Sequence, residues 1–208
     1  TDPYYDVSTG SELNAAYVYV SGENLYLMLT GNLENNGNSI DLFIDAVPGG
    51  QNTLSGNNPD VDDDGLNRMG ANGNLPGLTF DTGFESDYFF SVTADFNPVE
   101  VYAYSAPTDG SGGLGTFLGG DLGLIHLLVN GGEVGLNNAN TIGVDPVNVN
   151  DPSLVNTGLE FSIPLSDIGN PVGRVKITAF INGLFHDFLS NQVPVSYTHL
   201  RAHETVMN

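Results

Sequence analysis

The sequence predicts an all-β protein, a single antiparallel β-sandwich of jelly-roll-like type with long loops rich in Gly, Asn and Asp. Three observations carry this. Short alternating or apolar runs recur along the chain, bounded by Gly, Asn, Asp and Pro. Helix breakers are abundant, with 27 Gly, 11 Pro and 24 Asn, while Lys and Arg together number only 4. Hydrophobic residues make up 40% of 208 positions, enough to fill the core of one large domain.

The elements follow in order. Residues 1–11 form an extended, polar N-terminal arm, and residues 12–194 form the sandwich. Strands are expected at Ala15–Val20, Asn24–Thr30, Ser39–Asp45, Gly77–Phe80, Asp87–Ala94, Val99–Ser105, Leu122–Val129, Gly158–Ile163 and Arg174–Ile181. Tyr17, Tyr19, Leu25, Leu27 and Leu29 repeat with the period of two that places one face of a strand on a core. Ser21-Gly22-Glu23-Asn24 reads as a tight hairpin, and Asn35-Asn36-Gly37-Asn38 as a second turn, because Asn and Gly accept positive φ at little cost. Pro164-Leu165-Ser166-Asp167-Ile168-Gly169 suits one helical turn closed by Gly. Two stretches, Pro48–Pro76 and Gly131–Pro152, read as long irregular loops, which in a compact domain are functional or tied down. Pro107–Gly120 is Gly-rich without the strand and helix of a nucleotide site, so it reads as a turn region.

The termini differ from the body. Thr1-Asp2-Pro3-Tyr4-Tyr5-Asp6 resembles the mature start left after a signal peptide is removed, which places the protein outside the cell or on its surface. Residues 195–208 contain no Gly but carry Arg201, His199 and His203. The string from Val195 to Thr205 resembles a translated sequencing-adapter fragment, so this tail is set apart from the domain.

Charge narrows the partners. With 25 Asp and Glu against 4 Lys and Arg, the net charge is −21. Phosphate binding needs a basic surface, so nucleic acid and anionic membranes are excluded as partners. No run of about 18 apolar residues exists to span a membrane. There is no cysteine, hence no disulfide or thiolate chemistry.

The strongest local signal is Asp60-Val61-Asp62-Asp63-Asp64-Gly65. Asp60, Asp62 and Asp64 alternate before a Gly, as at the start of a calcium loop, where alternate carboxylates turn inward on a hard cation and the Gly permits the bend. The carbonyl of Leu66 is the next ligand in that scheme. An EF-hand would carry Glu at the twelfth position, where this chain has Ala71, so the remaining oxygens are expected from Asp45, Asp81, Glu85 or Asp87. A cation also relieves the repulsion among crowded carboxylates. Asp145 and Asp151 are candidates for a second site.

No catalytic signature stands out, and a non-enzyme is expected. There is no Gly-x-Ser-x-Gly elbow and no His-Glu-x-x-His. His126 lies in an apolar run, and His186-Asp187 is half of a dyad without a marked nucleophile. Tyr4, Tyr5, Tyr88, Phe89, Phe90, Tyr102 and Tyr104 are candidates for a sugar-stacking or protein-contact surface, against the plainer reading that alternate rings fill the core.

Asn24-Leu25-Tyr26-Leu27 followed by Leu42-Phe43-Ile44-Asp45 resembles the paired strands of β-sandwiches like carbohydrate-binding module family 9 and DOMON domains. Residues 158–169 resemble an element those domains carry late in the fold. The chain is also similar to secreted bacterial β-sandwich proteins of the PEP-CTERM-associated type. The resemblance implies the fold; the sugar-binding Trp residues of true family 9 modules have no counterpart, since there is no Trp. A looser analogy links acidity, β content and calcium loops to calcium-dependent extracellular fibres and cannulae. The expectation is therefore a secreted calcium-binding structural protein, self-assembling into a filament or surface layer, with its N-terminal arm exchanged onto a neighbouring copy's sheet edge. The alternative is a non-catalytic carbohydrate-binding module with glycans as partners.

Overall fold

The computed structural model describes residues 11–34, 36–60, 65–94, 101–121, 125–127, 132–137, 155–190 and 195–198. Its strands are β1 (Glu12–Ser21), β2 (Asn24–Asn32), β3 (Ser39–Asp45), β4 (Tyr88–Ala94), β5 (Val101–Pro107), β6 (Thr116–Asp121), β7 (Ile125–Leu127), β8 (Glu133–Leu136), β9 (Gly158–Pro164), β10 (Val175–Asn182) and β11 (Val195–Thr198). They form two antiparallel sheets, a five-stranded one in the order β1-β2-β9-β8-β7 and a six-stranded one in the order β11-β10-β3-β4-β5-β6. The expected all-β sandwich is thus the observed architecture. Within the six-stranded sheet, β10-β3-β4-β5 has the spatial order of a Greek key.

The core between the sheets follows from period-two patterning. Leu25, Leu27 and Leu29 of β2, with Leu159, Phe161 and Ile163 of β9, face Ile40, Leu42 and Ile44 of β3 and Val175, Ile177 and Ala179 of β10. Each such side chain contributes about 1.5–3 kcal/mol by leaving water. The β1–β2 hairpin turns at Gly22, whose φ of 59° is the left-handed conformation its position requires. The helical turn expected at 164–169 is a 3-10 turn, Leu165–Ile168.

Several expectations are corrected. Gly77–Phe80 is not a strand; Thr79 makes only an isolated bridge to Thr53. β6 lies inside the Gly-rich 107–120 stretch, and β8 lies inside the stretch expected to be irregular from 131. Both were hidden because Gly lowers strand propensity while tertiary pairing overrides it. Val195–Thr198, the first residues of the compositionally distinct tail, pair with β10. Residues 1–10 of the N-terminal arm, Tyr4 and Tyr5 among them, lie outside the described residues, as do Asp62, Asp64, Asp145, Asp151, His199, His203 and the side chain of His126.

The chief departure concerns the segment after β3. It is no open loop but a third layer over the outer face of the six-stranded sheet. Leu54, Leu66, Met69 and Phe84 from this layer bury a second core against Phe43 of β3, Phe89 of β4, Ala106 of β5 and Phe180 of β10. The ring centroid of Phe43 lies 5.0 Å from those of Phe80 and Phe89 and 5.6 Å from that of Phe180. A short helix, α1 (Gly65–Arg68), starts immediately after the acidic run. The layer's own backbone closes tightly: Gly56 N–H donates to Ala71 O at 2.9 Å and Leu78 N–H to Met69 O at 2.7 Å. A Cβ at Gly70 would collide with the Ser55 carbonyl, and one at Gly77 with the Leu54 carbonyl, so glycine is required where these chains touch. β3 is consequently buried along its whole length.

Candidate functional site

Three places carry chemistry. The first surrounds the acidic run. Asp60 is exposed, and its backbone is fixed by a bond from Asp60 N–H to Gly113 O at 2.8 Å and one from Gly115 N–H to Asp60 O at 2.7 Å. Asn67 closes the loop behind it: its Oδ1 accepts from Asn58 N–H at 2.7 Å, and its Nδ2 donates to Asn58 O at 2.9 Å. The side chain of Leu66 is fully buried in the second core. The other candidate ligands have partners or surroundings of their own. Asp45 is bound to Lys176, with Nζ 2.6 Å from Oδ2, and that oxygen also accepts from Glu85 N–H at 3.1 Å. Lys176 Nζ also donates to the Gly83 carbonyl. A cation at Asp45 would compete with this ammonium. Asp81 and Glu85 are exposed. Asp87 Oδ2 accepts from Ala46 N–H at 2.7 Å and Val47 N–H at 2.9 Å, which caps the turn leaving β3. Burial holds the Asp87 carboxyl above the usual carboxylate range; the bonds from Val47 and Ala46 oppose this, and the charges of Asp45 and Glu85 add to it. Among the described residues, no group of three acidic, His or Cys side chains is gathered for a metal.

The second place lies beneath the third layer. Asp41, on the outer face of β3, is fully buried. Its Oδ2 lies 3.0 Å from His186 Nδ1 and accepts from Asn182 Nδ2 at 2.9 Å; its Oδ1 accepts from the Ser39 hydroxyl at 3.3 Å. Asn182 Nδ2 also reaches Met69 Sδ at 3.3 Å, and its Oδ1 accepts from Phe188 N–H at 3.2 Å. His186 has a φ of 52°, and the Nε2 side of its ring abuts Gly65, the first residue of α1. One carboxylate thus ties β3, β10, the segment after β10 and the third layer together. The buried partner of His186 Nδ1 is Asp41, far from it in sequence.

The third place is the outer face of the five-stranded sheet. Tyr17 and Tyr19 on β1 are each 61% exposed and Tyr26 on β2 is 42% exposed. This corrects the assignment of Tyr17 and Tyr19 to the core face; Ala16, Val18 and Val20 pack inward instead. Register fixes the neighbours. Tyr19 stands opposite Tyr26, which stands opposite Ser162; Tyr17 stands opposite Met28, which stands opposite Glu160. Glu160 in turn faces Gly135, and Ser162 faces Glu133. Met28, Gly135, Glu160, Asn137 and Asn156 line a shallow groove of about 270 Å³, and Met28 is the cross-strand partner of Tyr17.

Among the described residues, the candidate aromatic surface is not assembled on one face, as the plainer reading has it. Phe89 and Phe90 are buried in different cores, and Tyr88 is half-buried. Tyr102 and Tyr104 are half-buried and sit beside exposed Phe117, with centroids 6.4 and 5.4 Å away. No family model, curated protein or solved structure matches the chain.

Proposed function

We propose that this chain is an extracellular, non-catalytic carbohydrate-binding β-sandwich, with the open face of the five-stranded sheet as its binding surface. The observation that carries this reading is the exposure of Tyr17, Tyr19 and Tyr26 on one face, beside a groove lined by Met28, the cross-strand partner of Tyr17. Aligned exposed aromatics on a sheet mark a contact surface. A tyrosine ring offers an apolar face to the C–H side of a sugar and a phenol to its hydroxyls. Among the described residues, the outer face of the opposite sheet packs against the third layer, and the exposed tyrosines lie on this one.

Binding to a panel of soluble polysaccharides by calorimetry tests the reading. Tyr19→Ala and Tyr26→Ala are each expected to weaken binding by about fivefold or more, since losing a contact aromatic costs about 1 kcal/mol or more. Both side chains are exposed, so melting temperatures stay near wild type. Absence of binding across the panel, or unchanged affinity in the double variant, overturns it.

A second reading concerns calcium and assembly. The Asn58–Asn67 bonds, whose residues bracket the run of Asp60, Asp62 and Asp64 in sequence, support a calcium loop completed by the Leu66 carbonyl. β1, ten residues long, free of Lys and Pro and at a sheet edge, supports self-association into a filament or surface layer. Calcium is expected to raise the melting temperature over an EGTA-treated sample and to increase light scattering. An unchanged melting temperature removes the calcium loop, and a monomer at every calcium concentration removes the filament.

A further inference from the structure

We infer that the strip from Tyr17 to the groove is built for an uncharged polysaccharide and discriminates against polyuronates and sulfated glycans, with Glu160 as the residue that sets this choice. The inference rests on the carbohydrate-binding reading and adds the ligand class. Its first basis is charge. The described strands of the five-stranded sheet contain no Lys or Arg; the described basic residues are Arg68 in α1 and Arg174 and Lys176 at β10 of the other sheet. Glu160 is exposed in the middle of the strip, and Glu133 is exposed in the neighbouring row. A uronate or sulfate laid along this strip meets two like charges and no compensating cation, on a chain of net charge −21.

The second basis is shape. Gly135 stands opposite Glu160 in mid-strand. A glycine inside a strand leaves room for close approach to the backbone, and here that gap forms part of the groove. A sugar ring seated there brings vicinal hydroxyls to the Glu160 carboxylate, which accepts two hydrogen bonds at once. Met28 flanks the same position and connects it to the ring of Tyr17.

The experiment uses the full chain and three polymers of similar length: a neutral β-glucan, polygalacturonate and chitosan. Calorimetry at low and high salt is expected to show binding of the β-glucan with an affinity that varies less than twofold with salt. Polygalacturonate is expected to bind at least tenfold more weakly at low salt, with the gap narrowing at high salt. Glu160→Ala is expected to lose about tenfold for the β-glucan, the order expected for a charged hydrogen-bond acceptor. Glu160→Gln is expected to retain part of that affinity and to bring polygalacturonate closer. Tyr19-dependent binding of polygalacturonate equal to the neutral polymer, or salt-sensitive preference for chitosan, overturns the ligand class and leaves the carbohydrate reading standing. Failure of all three polymers to bind overturns both.

Discussion

Replacing Asp41 tests whether the third layer is locked to the sandwich as the structure requires. The carboxylate is fully buried and serves Ser39, Asn182 and His186, which come from β3, β10 and the segment beyond β10. Asp41→Ala removes all three contacts and leaves buried polar atoms without this partner. Breaking a buried hydrogen-bonded pair from one side costs about 3–5 kcal/mol. For a chain of this size each kcal/mol lowers Tm by about 2–4 °C, so a drop of roughly 10 °C is expected. Asp41→Asn keeps the shape and one acceptor oxygen for Asn182, and its cost is expected near 1–2 kcal/mol. Urea unfolding gives the two free energies. Limited proteolysis shows where the damage lies, with new cleavage expected between 46 and 87, because Met69 and Gly65 rest on this cluster. A cost below about 1 kcal/mol for Asp41→Ala, or no new cleavage in the third layer, refutes the lock.

Three further outcomes follow from the same packing. Phe43→Ala is expected to cost about 3–5 kcal/mol by urea unfolding, because its ring is enclosed by Phe80, Phe89 and Phe180; a solvent-facing ring would cost under about 0.5 kcal/mol. Gly70→Ala forces its Cβ into the Ser55 carbonyl and is expected to raise protease sensitivity across 51–80, whereas Gly173→Ala, with open space around it, leaves it unchanged. Asp87 releases its proton less readily folded than unfolded, so its ionisation subtracts stability as pH rises from the ordinary Asp value through the raised folded one. Asp87→Asn keeps an oxygen for Ala46 and Val47 and is expected to flatten that part of the stability curve, on the alkaline side of the ordinary Asp value; an unchanged slope in urea midpoints refutes this.

Strand positions were legible wherever apolar periodicity was long, as in β2, β3, β4, β9 and β10. They were illegible where glycine diluted the pattern, as in β6 (Thr116–Asp121), whose pairing with β5 is a tertiary effect. The acidic run was conspicuous, but its partners were not. Asp45 had the residue type for a ligand, and nothing local showed that Lys176, distant in sequence, would take its carboxylate. The link from Asp41 to His186 spans most of the chain and left no local signal.

The tyrosine face was misread for a reason that also shows how it was readable. Period two says that a strand has two faces, not which of them is buried. In β1 both Tyr17/Tyr19 and Val18/Val20 alternate cleanly, so parity alone leaves the choice open. The deciding comparison lies between strands. β3, β4 and β10 carry large apolar residues at both parities, as in Leu42-Phe43-Ile44, Phe89-Phe90 and Ala179-Phe180-Ile181. Such runs belong to strands covered on both faces, so something had to lie outside that sheet. β2 and β9 carry large aliphatics at one parity only and leave Tyr26, Met28, Glu160 and Ser162 at the other. The sheet with one-sided strands must then present its second face to solvent, and aromatics at the outward parity belong to that face. Leu25 and Leu27 are buried on either side of Tyr26, which fixes β2; the Tyr19–Tyr26 register then carries the same outward parity to β1. Covering one sheet with the segment after β3 is therefore what its two-sided strands require and the one-sided strands of the other sheet do not. A charged substitution such as Tyr19→Lys should leave folding intact, whereas Phe89→Lys should abolish it.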